Sequence, residues 1–274
     1  MTRKYLLVTI AILTLFGVFA LSAHAAAVGR FTLVTGQVDL LKGGKLPAIA
    51  AKVQDGVEIG DVIRTKTKAK AQLTMVDDSS ITLAPESRLT IADYQYNAAR
   101  EERRAVVRLF QGLVHTVVKR IIKTEEPDFI METHTATIGV RGTNWYTLLT
   151  PGFSSVYLSG GLLGVSSNLP TVPALVLLHS MQFTQIPQGR QPFQPQALTP
   201  EILRMLGQLM DTGLAGSGLG FALPTPATGG QFQAPLTLPG SPDQKLLQQT
   251  VPPVLVPQPQ TPPPPPIHSI PSGS

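Results

Sequence analysis

The sequence predicts an all-β domain, built as a sandwich, a roll or a solenoid-like stack of short strands, followed by one short helix and a disordered proline-rich tail. Three observations lead to this fold class. Apolar and polar residues alternate with the period of a half-buried strand, most clearly from Ser80 to Ile91. Turn signals such as Asp55-Gly56 recur after short intervals. Helical periodicity does not interrupt the strands before Thr199, which favours an all-β architecture over an alternating one.

The first 25 residues have the three parts of a secretory signal peptide. Arg3 and Lys4 form a short positive flank, Tyr5 to Leu21 is an apolar run, and Ala23-His24-Ala25 is a small-x-small cleavage site. The alternative is an uncleaved membrane anchor, because the apolar run approaches the minimum length for spanning a bilayer. We therefore expect a periplasmic or otherwise exported protein, with at most peripheral membrane contact once the signal peptide is cleaved.

Composition narrows the classes of partner. The chain has no cysteine, so disulfides and a lipid-modified cysteine are excluded. Removal of residues 1–25 would leave 20 basic and 17 acidic residues, a net charge of +3. No nucleic-acid partner is expected, because the chain is exported and has no basic stripe interleaved with aromatic residues. Attraction to anionic lipid or cell-wall polymer stays open.

Two basic clusters are the main candidates for a binding surface. The polar stretch from Tyr94 to Arg104 is expected to form a solvated loop or hairpin tip between two strands, and a second cluster lies in and after the β-branched run from Leu113 to Ile122. If both clusters lie on one face, they would form a patch for an anionic partner. The residues of this possible partner face are Arg100, Arg103, Arg104, Arg108, Lys119 and Arg120.

Several phrases, in a fixed order, resemble the FecR-domain family, named for periplasmic proteins that relay signals from outer-membrane receptors. The phrases are Thr35-Gly36-Gln37-Val38, Val57 to Thr65, Ala69 to Leu73, Asp77 to Ile91, Leu109 to Val114 and Val140 to Trp145. The positions that match the family's motifs are Gly60, Asp61, Thr65, Asp78, Ser80, Gly112, Arg141, Gly142 and Thr143. One departure is that Asp78-Ser79 stands where the family usually has Asp-Gly. Asp78 or Ser79 is therefore expected to adopt the left-handed backbone conformation.

The resemblance and the sequence patterns together predict the organisation of the chain. It consists of a signal peptide at 1–25, a FecR-like β domain at 28–195 with its motif core at 36–145, a short amphipathic helix at 199–212, and a Gly/Pro-rich linker and tail at 213–274. Thr199 is suited to cap the helix and Pro200 to occupy its first position. We expect the helix to dock on the β domain, with docking into a partner groove as the alternative. We also expect this helix, or the segment after Pro151, to cover an exposed strand edge.

These features favour a non-enzymatic periplasmic FecR-like binding module that acts in envelope signalling or regulation through a protein partner, such as a receptor or a membrane sensor. The alternative is a structural or surface-interaction protein bound to peptidoglycan or an exopolysaccharide system. A third hypothesis, an envelope hydrolase that uses His134 or Asp78, has little support, because the sequence has no Gly-x-Ser-x-Gly elbow and no zinc-ligand spacing. We expect no catalytic residue, cofactor or metal.

Overall fold

The structure is a computed structural model that describes residues 26–121, 126–169, 171–172 and 174–214. The predicted signal peptide and the predicted tail beyond Leu214 lie outside the described residues. Within the described part, 17 strands precede one α-helix, α1 (Pro200–Thr212), and a single 3-10 turn spans Lys42–Gly44. The strands are β1 (Gly29–Thr35), β2 (Val38–Leu41), β3 (Ile49–Ala50), β4 (Gly56–Val57), β5 (Val62–Thr65), β6 (Lys70–Met75), β7 (Ser80–Leu83), β8 (Arg88–Asn97), β9 (Glu102–Val117), β10 (Phe129–Glu132), β11 (Ala136–Val140), β12 (Asn144–Thr150), β13 (Phe153–Gly160), β14 (Leu162–Ser167), β15 (Leu175–His179), β16 (Gln182–Pro187) and β17 (Gln196–Ala197).

The strands pair in two layers, as the sandwich or stack prediction requires. Layer A has the order β4-β1-β6-β7-β9-β12-β13-β16-β17. Layer B has the order β3-β2-β5-β8-β9-β10-β11-β14-β15. These neighbours are antiparallel, except for the parallel pair β9 and β10. Strand β9 belongs to both layers, because residues 102–111 pair in layer B and residues 112–117 pair in layer A. The sheet is not closed.

The chain passes between the layers through tight bends that stack on one another at two ends of the domain. At the first end, which we call the Gly112 end, the amide of Lys66 donates to the carbonyl of Gln37 at 3.0 Å and the amide of Glu86 donates to the carbonyl of Lys66 at 3.3 Å. At the opposite end, which we call the Arg141 end, the amide of Val118 donates to the carbonyl of Thr143 at 2.8 Å. Each bend therefore satisfies backbone groups of the next bend in the stack.

Gly112 makes the sharp bend of β9 possible. Its φ is +93°, and a Cβ atom at this position would lie 2.6 Å from the Cα atom of Ser87 and would overlap the serine side chain. A residue with a side chain would therefore meet both backbone strain and a steric clash. The bend returns β9 to the end of the domain from which it started, so that residues 103 and 119 are in hydrogen-bonding contact.

One continuous hydrophobic core lies between the two layers. Phe31, Leu73, Ile81 and Trp145 contribute from layer A, and all four side chains are completely buried. Their counterparts in layer B are fully or almost fully buried, and they include Leu40, Ile63, Leu89, Val107, Phe129, Ile138 and Val165. Alternate residues of each strand enter this core, which is the period-2 pattern predicted from the sequence.

Helix α1 docks on the outer face of layer A and forms a second hydrophobic cluster there. Leu206, Leu209 and Met210 are buried, in one cluster with Tyr157 and Phe183 of the sheet. The predicted cap is present, because the Thr199 hydroxyl accepts a hydrogen bond from the Ile202 amide at 3.4 Å. The helix covers a sheet face and not a strand edge. Of the two segments expected to cover an edge, the one after Pro151 does so, because β13 pairs along β12. No helix among the described residues is long and apolar enough to cross a membrane.

The stretch from Tyr94 to Arg104, predicted as a loop or hairpin tip, is mostly strand. Strand β8 continues to Asn97 and pairs with Glu102, the first residue of β9, so the tip contains only residues 98–101. The loop was predicted because this stretch is polar. An outward-facing strand surface is equally polar when it borders solvent.

Candidate functional site

The motif positions near the start of the domain build turns. The carboxylate of Asp61 is buried, and it accepts hydrogen bonds from the amides of Gly43 at 2.8 Å and Glu58 at 2.9 Å and pairs with Lys42 at 3.0 Å. Gly60, with a φ of +89°, donates its amide to the carbonyl of Ile91 at 2.7 Å. Gly60 and Asp61 therefore stabilise a turn, and their polar groups are hydrogen-bonded within the domain and do not face a ligand.

Thr65 joins two bends at the Gly112 end. Its buried hydroxyl donates to the carbonyl of Ala84 at 2.6 Å and accepts from the amide of Ser87 at 2.9 Å. The hydroxyl of Ser87 in turn contacts the backbone of Leu113, directly after Gly112. These motif residues are thus structural, because each one satisfies backbone groups that the bends leave without a strand partner.

At the Arg141 end, the motif Arg141-Gly142-Thr143 forms the bend from layer B to layer A. Gly142 has a φ of +76°, and a Cβ atom there would lie 2.5 Å from the Cα atom of Arg120. Thr143 is buried and exchanges two backbone hydrogen bonds with Val118. Arg141 is exposed beside this bend. The glycine and the threonine hold the bend together, whereas the arginine faces solvent.

The acidic turn before β7 places its two carboxylates in opposite environments. Asp78 has a φ of +66°, which confirms the expected left-handed position, and its exposed carboxylate lies 3.2 Å from the ammonium group of Lys119. Asp77 is buried. Ser80, the other motif position here, begins β7 and pairs with Thr74 and Val117. The two aspartates therefore do not form a carboxylate pair.

Asp77 belongs to a buried polar group that we call the Arg103 cluster, which consists of Asp77, Ser79, Tyr94, Arg103 and Asp128. The guanidinium of Arg103 is fully buried and donates to Asp77 at 2.5 Å and to Asp128 at 2.7 Å. The carboxylate of Asp77 also accepts from the Tyr94 hydroxyl at 2.6 Å and from the Ser79 hydroxyl at 2.7 Å. One arginine thus joins the turn before β7 to the segment that enters β10.

Hydrogen bonds and opposite charges in the Arg103 cluster favour the ionised forms of Asp77 and Arg103. Burial alone would raise the pKa of Asp77, but hydrogen bonds from Tyr94, Ser79 and Arg103, with the positive charge of Arg103, outweigh it and hold the pKa below its usual value. Burial, followed by the negative charge of Asp77, raises the pKa of Tyr94. Burial would lower the pKa of Arg103, but its hydrogen bonds to Asp128 and Asp77 raise it. Asp77 and Arg103 are therefore both stabilised in their charged forms.

The structure corrects the prediction that Arg103 belongs to an exposed partner face. Arg103 lies in phase with the core residues Ala105, Val107 and Leu109 of β9, whereas its neighbour Arg104 points outward, with 77% of its side chain exposed. The sequence contained a signal for this difference, because Arg103 is in phase with the apolar residues of β9 and Arg104 is not. The prediction missed it because a run of five charged residues was interpreted as wholly solvated.

The other predicted basic residues are exposed, and most of them lie at the Arg141 end. The backbone carbonyl of Lys119 accepts from Arg103 at 3.1 Å, Arg120 packs on Gly142, and the amide of Arg100 is bonded to Asn97 in the hairpin tip. We call these exposed residues the basic rim, which consists of Arg100, Arg104, Lys119, Arg120 and Arg141. Arg108 lies apart, on the outer face of layer B, where it pairs with Glu132 at 2.6 Å.

The residues of the hydrolase hypothesis are not brought together. His134 lines a cleft at the Gly112 end with Phe110 and Gln111, whereas Asp78 lies in the turn beside Lys119 at the Arg141 end. Among the described residues, no group of three or more His, Asp or Glu side chains could hold a metal ion.

A shallow groove runs beside the basic rim on the outer face of layer B. It has a volume of about 480 Å³ and includes Arg141 and Leu162 in its lining. Gly139 and Gly164, which are directly paired across β11 and β14, contribute to its lining. Pro127 packs over Gly139 and Leu175 packs over Gly164. This end of the domain therefore combines exposed positive charge with a shallow, largely apolar groove.

Comparison with known proteins identifies the central part of the chain. Residues 61–161 match the FecR protein family, which confirms the resemblance noted in the sequence and supports a regulatory or signalling role. Two crystal structures of a "putative anti-sigma factor" from Parabacteroides distasonis are similar to the chain, each with 14% sequence identity and a TM-score of 0.42. The similarity covers 54% of this chain and 64% of that protein. No curated protein sequence matches the chain.

Proposed function

We propose, on the premise of the FecR match at residues 61–161, that the protein is a non-enzymatic periplasmic module that regulates or signals by binding an envelope protein through the basic rim. The proposal is carried by one observation. The exposed basic residues of the rim lie at the end of the domain that carries the bend of Arg141-Gly142-Thr143, and Arg120 packs directly on Gly142. Gly142 and Thr143 of this motif hold the bend together, so the exposed charges beside it are the part of the motif region that a partner can contact.

A partner with an acidic surface fits this end of the domain. Exposed charges of one sign steer an oppositely charged protein and set its orientation more than they set the affinity. Three acidic residues, Asp78, Glu101 and Glu102, are also exposed at this end of the domain, next to residues of the rim. The partner is therefore expected to match a mixed pattern in which cations predominate, and not a uniform positive field.

Site-specific photo-cross-linking in cells tests the proposal. A photoreactive residue replaces Arg120 in the full chain, and a matched variant carries it at Arg190, an exposed arginine that follows β16 near Gly152 at the Gly112 end. Capture of one defined envelope protein from position 120 and not from position 190 is the expected result. Equal capture from both positions, or capture of no protein, would reject the rim as the partner surface.

Charge reversal and fractionation complete the test. In the variant that carries the photoreactive residue at position 120, Arg104→Glu combined with Lys119→Glu should abolish the capture, while Arg190→Glu should leave it unchanged, because only the first pair alters the rim. The protein should be released with the periplasmic fraction and begin at Ala26. Salt-sensitive retention on purified peptidoglycan sacculi, with no protein captured, would instead support the structural role on cell-wall polysaccharide.

A further inference from the structure

Within the part of the chain that the structure describes, strand β15 is an unprotected edge of layer B. Among the described strands, it pairs only with β14, over five residues without a register shift. The edge strands β3, β4 and β17 have two residues each, and β1, which extends beyond β4, carries a bulge between Phe31 and Leu33. Natural proteins commonly protect edges by short strands, bulges, charges or proline. From Leu175 to Leu178, β15 has none of these features.

The backbone of β15 presents free hydrogen-bonding groups at this edge. The amide of His179 donates to the side chain of Gln182 at 3.0 Å, so it is not directed at β14. In an antiparallel ladder, alternate residues direct both backbone groups to the same neighbour. Leu177 and Leu175 are in phase with His179, and their N–H and C=O groups therefore point away from β14, toward the open edge.

The side chains of β15 form an apolar row that solvent contacts. Leu175 is 66% exposed and Leu177 is 51% exposed on the outer face of layer B, and Leu162 of the adjacent strand is 44% exposed. Val176 faces the opposite side, in phase with the buried Leu178, but it is only half-buried. The inner side of the edge is thus also incompletely covered.

We propose that two copies of this chain associate by antiparallel pairing of β15 with β15, with Val176 on the two-fold axis and Leu175 opposite the partner's Leu177. This register pairs the largest number of free backbone groups, because it sets residues 175 and 177 of each copy opposite one another. A pairing centred on Leu177 would instead need the His179 amide, which already donates to Gln182. Each Leu175–Leu177 pair exchanges two hydrogen bonds, so the interface contains four.

A second copy satisfies every feature of this edge. The interface is isologous, and the same strand supplies donors and acceptors to both sides. Residues 175–178 are uncharged, so self-pairing brings no like charges together. Leu162, Leu175 and Leu177 of the two copies would form one cluster on the outer face, and the two Val176 side chains would cover each other on the inner face.

A single cysteine tests the register directly, because the full chain contains none. In the proposed pairing, the two Val176 Cα atoms lie about 4.5 Å apart, which is within the range that a disulfide spans. Mild oxidation of purified Val176→Cys should give a covalent dimer that a reductant reverses. The control Val117→Cys, at a 37% exposed position on a strand of layer A, should stay monomeric on the denaturing gel.

Solution mass provides the second readout. The wild-type chain should be a dimer at about 0.1 mM, where association of micromolar affinity is nearly complete. Leu175→Lys combined with Leu177→Lys should give a folded monomer, because both side chains are already more than half exposed. Leu33→Lys, on the other open strand, should remain a dimer.

Three results would overturn the proposal. These are a monomeric wild type, a dimer that survives the double lysine change, and equal cross-linking of the two cysteine variants. A monomeric wild type that dimerises only after residues 215–274 are removed would assign the edge to the chain's own tail instead.

Discussion

Replacement of Arg103 by methionine is the sharpest test of the buried cluster. Methionine keeps much of the length of the arginine side chain but removes the guanidinium that contacts Asp77 at 2.5 Å and Asp128 at 2.7 Å. Both carboxylates are at most 4% exposed, so solvent does not replace the lost cation. The substitution therefore leaves two buried negative charges without their common partner.

The magnitude follows from this geometry. Removal of one partner from a buried ion pair typically costs about 3–5 kcal/mol, because the remaining ion keeps its desolvation penalty. Arg103 serves two carboxylates and also donates to the carbonyl of Lys119 at 3.1 Å. We therefore expect the free energy of unfolding to fall by about 3–5 kcal/mol. With a urea dependence of about 2 kcal/mol per M, the midpoint would fall by about 1.5–2.5 M.

The single tryptophan of the chain is a suitable probe for the assay. Trp145 is fully buried and contacts Phe129 edge to face, with ring centroids 5.9 Å apart. Phe129 in turn lies 5.9 Å below the guanidinium carbon of Arg103. Urea denaturation followed by tryptophan emission therefore reports on the core next to the cluster.

The neighbouring arginine is the matched control. Arg104 is 77% exposed and lies 3.5 Å from Asp93, so Arg104→Met should change the free energy of unfolding by no more than about 0.5 kcal/mol. If the free energy of unfolding of Arg103→Met lies within about 1 kcal/mol of the wild-type value, Arg103 is not the ion that stabilises this part of the domain.

The pH dependence should change sign in the Arg103→Met variant. In the wild type, the pKa of Asp77 is lowered, so its stabilising contribution is complete above the unfolded-state pKa of about 3.9 and is lost as the pH falls through the lower folded value. Without the arginine, burial, which is the largest influence on Asp77, is opposed only by the hydrogen bonds from Tyr94 and Ser79, so the pKa of Asp77 rises. The variant should therefore recover part of its stability relative to the wild type as the pH is lowered toward 4. A constant difference across this range would contradict the mechanism.

Two further predictions concern the bends and the helix. Gly112→Ala should lower the free energy of unfolding by more than about 2 kcal/mol or prevent soluble expression, because the new Cβ overlaps the side chain of Ser87. Gly152→Ala, at a φ of +81° with no atom within 4 Å, should lower it by only about 1 kcal/mol. Similar losses in urea midpoint for the two variants would contradict the steric argument. Leu209→Ala should lower the free energy of unfolding by about 2–5 kcal/mol, because it opens a cavity beneath α1. Thermal unfolding measures this loss, and Gln208→Ala, at an exposed position of the same helix, is the control. An equal effect of the two changes would be evidence against the docked helix.

Much of the fold could be predicted from local patterns. The alternation around Ile81 predicted strand β7, and Thr199 and Pro200 predicted the start of α1. The absence of glycine after Asp78 predicted a left-handed residue at Asp78 or Ser79, and the structure places it at Asp78. Each of these features depends on a few neighbouring residues. The extent of β8 and β9 was missed, because polarity indicates contact with solvent and not the presence or absence of a strand.

The candidate site was less accessible to prediction. The sequence placed Arg103 and Arg104 in one exposed cluster, but the structure buries the first and exposes the second. The partners of Arg103 are 26 and 25 residues away in the chain, and they meet it only because β9 bends at Gly112 and returns to the Arg141 end. The basic rim was partly predicted, since Arg100, Arg104, Lys119 and Arg120 were named as possible partner residues.

The sequence by itself determined the strand class of the domain, its turn positions and its resemblance to the FecR family, because alternation and turn chemistry are local properties. Only the tertiary structure decided which residues pair across the layers, which charges become buried and that β15 ends layer B with its leucines exposed. A period of two residues fixes which side chains share a face. The choice of the neighbouring strand depends on the packing of the whole stack, because backbone pairing in a ladder is the same for almost any sequence.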